Sequence, residues 1–417
     1  MSNARGPAAR LVAIVSVGLV ACGATGPASP DASPAVRATS TATPAPTASL
    51  PATPRPTRSP AARGHDDLAD EIEILTLGPE LTAEIYAFAS DGSAVVFSSG
   101  AAPDAAPEAA PDLWRIVPAP SSRPELVWRN PHRDHLLVNV GGDLGTIGFV
   151  DIPTTGERAW TLWLVPRLGE PAIVLDEHPG DDEVSSLVPS FSIYERQIVW
   201  TAFDRGPDGP VSQLLYAREP GWKPEVLLER PAAEAELWLP SLYGSHVAFT
   251  EVRYADDRSS DERAVYHMHV ADPAGARRLD ASGRATMPIL TSDAVLWKEA
   301  QEGFNMFNWG RMYRFDLASE RVTTVDTWPQ PWVNYPSAGE RFAAWWGSDS
   351  FQFGVYDLVR LRPRLIQRLP VGSDAGILRP HISGDLLAWL EFDETEGTGG
   401  GELRYAWLPS AADERGR

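Results

Sequence analysis

The chain has 417 residues, with 36 lysines and arginines against 56 aspartates and glutamates, and one cysteine. A net charge of −20 at pH 7 argues against nucleic acid and anionic lipid as partners of the folded part, because like charges repel. One cysteine excludes an intramolecular disulfide, so a large hydrophobic core has to hold the folded part together.

A secretory signal is predicted at the N-terminus. Arg5 and Arg10 make its start positive, and the apolar run 11–21 is too short to cross a bilayer as a stop-transfer helix. The run ends in Leu-Val-Ala-Cys at residues 19–22, which resembles the bacterial lipobox. The resemblance implies a lipoprotein signal peptide over residues 1–22, lipidation of Cys22, and a cell-membrane location facing the periplasm or the exterior. The alternatives are a plain secretory signal with a chance cysteine and an N-terminal anchor helix.

Residues 23–65 are predicted to form a disordered tether. They are mainly Pro, Thr, Ser and Ala, which have little to bury and cannot offset the entropy lost on ordering. Proline keeps such a segment extended and semi-rigid. No composition break divides the chain beyond this segment, so residues 66–411 are expected to form one domain, followed by a disordered tail at 412–417.

An internal repeat is the main structural signal. A proline is followed nine residues later by an aromatic residue that ends an apolar run, in the pairs Pro240–Phe249, Pro288–Trp297, Pro336–Trp345 and Pro380–Trp389. Pro189–Trp200 is the same pattern with two more residues in the turn. Between these points, short runs of Val, Ile, Leu and aromatic residues alternate with Gly, Asp, Pro and Ser turns, as in strands. Seven such units predict an all-β fold, a seven-bladed β-propeller of four-stranded blades.

The last unit has three evident strands, and an N-terminal strand at about residues 71–77 is expected to complete it and close the ring. A β-helix or a pair of sandwiches fits the repeat length less well. Residues 90–97 resemble the first hairpin of the WD40-like, PD40-type repeats in TolB-like propellers, and residues 312–317 and 355–358 are similar to the strand that follows it. The resemblance implies the fold, and a partner-binding role only by analogy.

Catalytic motifs are absent from the sequence. It contains no nucleophile elbow, P-loop or dinucleotide fingerprint, so no catalytic residue, cofactor or metal site is predicted. His132 and His135 fall in a turn between the first two units, where solvation is the simpler interpretation. His267 and His269 share one face of a strand and could ligate zinc, but the sequence places no third ligand beside them.

The loops of the units divide into two sectors. In a propeller, the loops between second and third strands share a face with those that lead to the next blade. Units two to four contribute acidic residues there, at Asp176, Glu177, Asp181, Asp182, Glu183, Asp204, Asp208, Glu229, Glu234, Glu236, Asp256, Asp257 and Asp261. Units five and six contribute aromatic residues, at Phe304, Phe307, Trp309, Trp328, Trp332, Trp346 and Phe351. Aromatic residues in loops often mark a binding site, although they also fill gaps between blades.

These features predict a membrane-anchored, extracytoplasmic propeller that is a binding or scaffold module. Its expected partners are the membrane, through the lipid anchor, and either a protein or a cell-envelope glycan, through the seven aromatic residues. We expect a monomer that does not bind nucleic acid. The alternative is an extracytoplasmic hydrolase or lyase that uses acidic residues at the mouth of the channel.

Overall fold

The computed structural model describes residues 68, 71–77, 85–99, 111–119, 121–132, 134–154, 159–180, 188–255, 261–301, 310–327, 333–346, 352–368, 375–393 and 401–410. Over these ranges the chain forms 28 β-strands in seven four-stranded antiparallel sheets. The first strand of each sheet contacts that of the next, and the last contacts the first, so the sheets form a closed ring. The seven-bladed β-propeller is confirmed. Cys22, the tether and the tail lie outside the described residues. Within the described residues, no helix is long and apolar enough to span a bilayer.

A two-residue strand, β1 (Leu75–Thr76), precedes the first blade. Blade 1 consists of β2 (Ile85–Ser90), β3 (Val95–Ser99), β4 (Asp112–Ile116) and β5 (Glu125–Trp128). Blade 2 consists of β6 (His135–Asp143), β7 (Thr146–Pro153), β8 (Trp160–Val165) and β9 (Ile173–His178). Blade 3 consists of β10 (Phe191–Tyr194), β11 (Gln197–Gly206), β12 (Gly209–Arg218) and β13 (Glu225–Pro231).

The remaining blades follow the same order from the inner to the outer strand. Blade 4 consists of β14 (Glu236–Tyr243), β15 (His246–Tyr254), β16 (Asp261–His269) and β17 (Asp272–Arg278). Blade 5 consists of β18 (Ala285–Leu290), β19 (Ala294–Ala300), β20 (Gly310–Asp316) and β21 (Val322–Val325). Blade 6 consists of β22 (Asn334–Ala338), β23 (Phe342–Trp346), β24 (Gln352–Asp357) and β25 (Arg362–Arg368). Blade 7 consists of β26 (Ala375–Ser383), β27 (Leu386–Asp393) and β28 (Gly401–Trp407), with β1 as its fourth strand.

The antiparallel order gives the ring two distinct faces. The lower face carries the turns between first and second strands and between third and fourth strands. The upper face carries the connections from second to third strands and from each blade to the next. First strands therefore begin, and second strands end, at the upper face, which is where the sequence places both its acidic and its aromatic loops.

The core lies between neighbouring blades and is built on the second strands. Each second strand has a sheet partner on both sides and a blade on both faces, so its side chains are almost all buried. Its aromatic residue is fully buried in all seven blades, as the repeat predicts: Phe97, Phe149, Trp200, Phe249, Trp297, Trp345 and Trp389. The repeated aromatic residue is therefore a core residue and not part of a binding surface.

The repeated prolines mark a bulge in the first strand. In blades 4 to 7 the residue before the proline has a positive φ, and the pairing with the second strand shifts there; these residues are Leu239, Met287, Tyr335 and Arg379. The bulged pair faces the core aromatic residue across the hairpin, which explains the nine-residue spacing. Proline fits such a position because it has no N–H to withdraw from the ladder.

The residue after the proline joins neighbouring blades. Ser241 Oγ accepts a hydrogen bond from Leu290 N at 2.8 Å, which links blade 4 to blade 5. Ser337 Oγ accepts one from Ile382 N at 2.9 Å and links blade 6 to blade 7. In blade 7, His381 Nδ1 takes the same role and accepts from Ser90 N of blade 1 at 3.0 Å. In blades 4, 6 and 7 the repeat thus encodes both a bulge and a bond to the next blade, whereas blade 5 has the apolar Ile289 at this position and keeps only the bulge.

The first and the last strands of the propeller pair with each other and close the ring. β1 pairs with β28, with Leu75 opposite Tyr405 and Thr76 opposite Arg404, as the predicted closing strand at about 71–77 requires. Upstream of β1, Glu71 Oε1 lies 3.0 Å from Nη2 of the buried Arg364 of blade 6. The N-terminal segment therefore ties blade 6 to blade 7 as well as completing blade 7.

Candidate functional site

Loop ends in blades 5 and 6 meet on the upper face. β19 ends at Ala300 and β20 begins at Gly310, β22 begins at Asn334, and β23 ends at Trp346. These strand ends lie in one sector of the upper face, and in the sequence they flank the three aromatic segments. Of the seven predicted ligand-binding residues, Trp346 is described; the other six lie outside the described residues, namely Phe304, Phe307, Trp309, Trp328, Trp332 and Phe351.

Trp346 is part of a stack that extends across two blades. Its ring lies parallel to that of Tyr335 within 24°, with the centroids 6.0 Å apart. The Arg379 guanidinium of blade 7 lies 5.4 Å from the centre of the Tyr335 ring. All three side chains are half-buried, and burial raises the pKa of the Tyr335 hydroxyl, which stays neutral. A ring pair with an adjacent cation is suited to stack on a sugar or to hold an aromatic or acidic side chain.

Tyr335 and Arg379 occupy the bulge position before the repeated proline, with φ of 45° each. A positive φ is unfavourable for a bulky residue, and such backbone occurs where the surrounding structure imposes it. Sequence reasoning missed both residues, because they lie in strands and not in loops. The available signal was the identity of the residue before each repeated proline, which is aromatic or basic only in blades 6 and 7 among the bulges of blades 4 to 7.

A buried lysine lies beneath this sector. Lys298 is fully buried, and its Nζ donates to Asn334 Oδ1 across the seam between blades 5 and 6 at 2.6 Å. Gly310 leaves room for it, since a Cβ there would lie 2.5 Å from Lys298 Cε. Burial lowers the pKa of Lys298 to about 7, and the positive charge of Arg263 acts in the same direction. In the sequence Lys298 precedes one aromatic segment and Asn334 follows another, so the bond joins the two strands, β19 and β22, that flank them.

The acidic sector of blades 2 to 4 holds carboxylates that the fold already uses. Asp176 Oδ2 accepts from the indole of Trp200 at 2.7 Å, and burial raises the pKa of Asp176. Glu236 Oε2 accepts from Trp238 Nε1 and from the Tyr254 hydroxyl, both at 3.1 Å. These residues bond within and between blades. Five other acidic residues of the sector lie outside the described residues: Asp181, Asp182, Glu183, Asp256 and Asp257.

His132 and His135 make contacts that a fully solvated turn would lack. Their rings stack with the centroids 4.6 Å apart, and His135 Nδ1 lies 3.0 Å from Asp151 Oδ2. Burial raises the pKa of Asp151, against the effect of His135. As the described residues stand in the structure, no group of three or more His, Cys, Asp or Glu is arranged so that it could hold a metal ion.

No protein-family model matches the chain, and neither does any curated protein sequence. Solved structures do match its fold. Oligogalacturonate lyase in complex with manganese superimposes with a TM-score of 0.53 at 12% identity, over 83% of this chain and 96% of that chain. The β-propeller domain of the Trilobed protease from Pyrococcus furiosus gives 0.53 at 10% identity, over 79% and 97%. At these identities the likeness establishes the propeller fold alone.

TolB from Acinetobacter baumannii also matches, with a TM-score of 0.40 at 12% identity, over 76% of this chain and 78% of that chain. That superposition is too loose to support any conclusion about a site. The propeller implied by the sequence resemblance is present in the seven sheets of the chain itself, and what it binds has to be argued from its own residues.

Proposed function

We propose that the chain is a binding or scaffold module that holds a protein or a cell-envelope glycan on the upper face of blades 5 to 7. The observation that supports this most is the stack of Trp346, Tyr335 and Arg379, which places two rings and a cation on adjacent blades. The six other predicted aromatic residues lie in sequence segments that adjoin strands of blades 5 and 6. Two stacked rings beside a cation, on an acidic chain, are typical of a recognition site.

We further propose that Cys22 is lipidated and holds the domain at the cell membrane, outside the cytoplasm. The basis is the lipobox-like end of the apolar run and the tether of residues 23–65. Metabolic labelling with an alkyne fatty acid tests the anchor: label should appear on the unaltered chain and be absent from Cys22→Ser. Label retained in the variant would contradict the anchor without bearing on the binding face.

Cross-linking of the full-length protein in its own membranes tests the binding face. The test variant is Tyr335→Ala with Trp346→Ala, and the control is Trp407→Ala, because Trp407 is an exposed tryptophan at the end of β28 on the lower face. We expect the same cross-linked species from the unaltered chain and the control, and their loss from the test variant. Species that persist in the test variant and vanish in the control would place the binding surface on the other face.

The glycan and enzyme possibilities need soluble probes. Muropeptides represent the cell envelope, and oligogalacturonate represents the ligand class of one protein with a similar fold. Binding without turnover, lost in Tyr335→Ala with Trp346→Ala, would support a glycan-binding module. Formation of an unsaturated sugar product by the chain, with or without added Mn²⁺, would instead support the lyase alternative, and a saturated product with a new reducing end would support the hydrolase alternative.

A further inference from the structure

Three imidazoles lie together in blade 4 near the lower face. His246 on β15 is the cross-strand partner of His269 on β16, and His267 lies two residues before His269. Directly opposed residues of an antiparallel pair point to the same side, and so do alternate residues of one strand. All three side chains therefore project from one side of the blade 4 sheet. The sequence showed only His267 and His269, because His246 is twenty-one residues away along the chain.

The rings are in contact and open to solvent. His246 Nδ1 lies 3.1 Å from His267 Nε2, with the two rings parallel within 15° and their centroids 5.1 Å apart. The centre of the His269 ring is 5.2 Å from that of His246. His246 and His267 are half-buried and His269 is exposed, so a small ion can reach them.

We propose that His246, His267 and His269 form a binding site for a divalent transition metal with the ligand preference of Zn²⁺. Zn–N bonds at tetrahedral angles separate two ligating nitrogens by about 3.4 Å, so the 3.1 Å pair needs only a small opening. The hydrogen that the facing nitrogens share would move through solvent to the other nitrogen of the donor ring. Both facing lone pairs then become available to the metal, and no redox change is involved.

His269 is the third ligand, and it has to rotate to bind. Its Nδ1 accepts from Ala271 N at 3.1 Å, so in the neutral ring Nε2 carries the hydrogen and donates to Ser245 Oγ at 2.6 Å. This bond occupies the His269 Nε2, so in the structure as it stands the three imidazoles do not form a metal-ligating set. Water would supply the fourth ligand, as in other sites with three protein ligands.

The cation beside His267 does not oppose a metal strongly. Arg277 is the cross-strand partner of His267 and faces the same side of the sheet. Its Nη1 lies 2.9 Å from Glu320 Oε1 of blade 5, and its guanidinium stands over the Phe315 ring. Because Glu320 compensates this charge, the imidazoles can accept a dication. The site does not depend on the ligand face of blades 5 to 7.

Calorimetric titration of Zn²⁺ into the full-length chain, purified through a histidine-free tag, tests the site. We expect one Zn²⁺ per chain, with an affinity that falls about tenfold or more in His246→Gln and in His267→Gln. Ser245→Ala should strengthen binding several-fold, because it releases His269. His132→Gln is the control, since it removes an exposed imidazole outside blade 4 and should leave the affinity unchanged.

Circular dichroism shows whether each variant folds, and the visible spectrum of bound Co²⁺ gives a second readout of tetrahedral coordination by nitrogen. Unchanged Zn²⁺ affinity in both His246→Gln and His267→Gln would overturn the proposal. Loss of binding confined to His132→Gln would also overturn it, since the metal would then lie at His132 and His135. Failure of the unaltered chain to bind Zn²⁺ would have the same consequence.

Discussion

Blades 4 and 5 and blades 6 and 7 put the same backbone feature to different uses. In each, the residue before the repeated proline has a positive φ and lies opposite the core aromatic residue. That residue is Leu239 or Met287 in blades 4 and 5, but Tyr335 or Arg379 in blades 6 and 7, where the two side chains meet. The proline and the aromatic residue therefore specify the fold, whereas the residue before the proline is free to specify a surface.

The largest expected effect tests whether blades 4 and 5 and blades 6 and 7 have equally well packed cores. Trp297→Ala in blade 5 and Trp345→Ala in blade 6 should each lower the free energy of unfolding by about 3–5 kcal/mol, because both rings are fully buried between blades. Urea denaturation followed by circular dichroism measures this. A much smaller loss of unfolding free energy for Trp345→Ala would show that the core of blade 6 is looser. The two pairs of blades would then differ in more than the residue before the proline.

Lys298, which lies between blades 5 and 6, should make the stability of the chain depend on pH. Its pKa is about 7 in the folded chain and 10.5 in the unfolded chain, so folding releases a proton between these values. The cost of burying the charge is complete below about pH 7 and is relieved as the pH rises, by up to about 1.4 kcal/mol per pH unit. Lys298→Met should remove this dependence in urea titrations at several pH values. An unchanged slope would show that Lys298 is not its source.

His381 should make the closure between blades 7 and 1 sensitive to acid. Burial lowers its pKa to about 4 from 6.5, so its contribution to stability is present above pH 6.5 and is lost as the pH falls toward 4. Ser241 and Ser337 fill the same position in blades 4 and 6 and do not titrate. His381→Ser should therefore unfold at a lower pH than the unaltered chain, with a gain of about 1–3 kcal/mol near pH 4. Unfolding at the same pH would place the acid sensitivity elsewhere.

The smallest effect on stability is expected from substitutions of Tyr335 and Arg379. Replacing Tyr335 with Leu and Arg379 with Met gives blades 6 and 7 the residues that blades 4 and 5 carry. Because the bulge accepts these residues elsewhere in the ring, the free energy of unfolding should change by less than about 1 kcal/mol. Thermal denaturation measures this. A larger loss would mean that Tyr335 and Arg379 hold the blades together.

The fold could be predicted because its signals are local and repeated. The proline-to-aromatic spacing, the count of seven units and the spare strand before β2 all lie in short stretches of sequence. The bulge could not be predicted, since nothing in Pro288 or Pro336 alone announces a positive φ at the preceding residue. The bond from Ser337 to the next blade also depends on packing between residues forty-five positions apart.

The candidate site was predictable only in part. The loop aromatic residues pointed to the upper face of blades 5 and 6, and Trp346, the one of them that the structure describes, lies in the stack of the proposed site. Tyr335 and Arg379 were missed because alternation along a strand hides a residue that a bulge re-aims. His246 was missed for a related reason: its partners His267 and His269 become neighbours only through the pairing of β15 with β16.

One measurement tests the central claim most directly: membrane cross-linking of the Tyr335→Leu, Arg379→Met variant beside the unaltered chain, at matched amounts of folded protein. The proposal predicts a stable variant that has lost the species captured by the unaltered chain, since only the surface of blades 6 and 7 has changed. Capture of the same species in the same yield would contradict the claim that this surface is where the propeller binds.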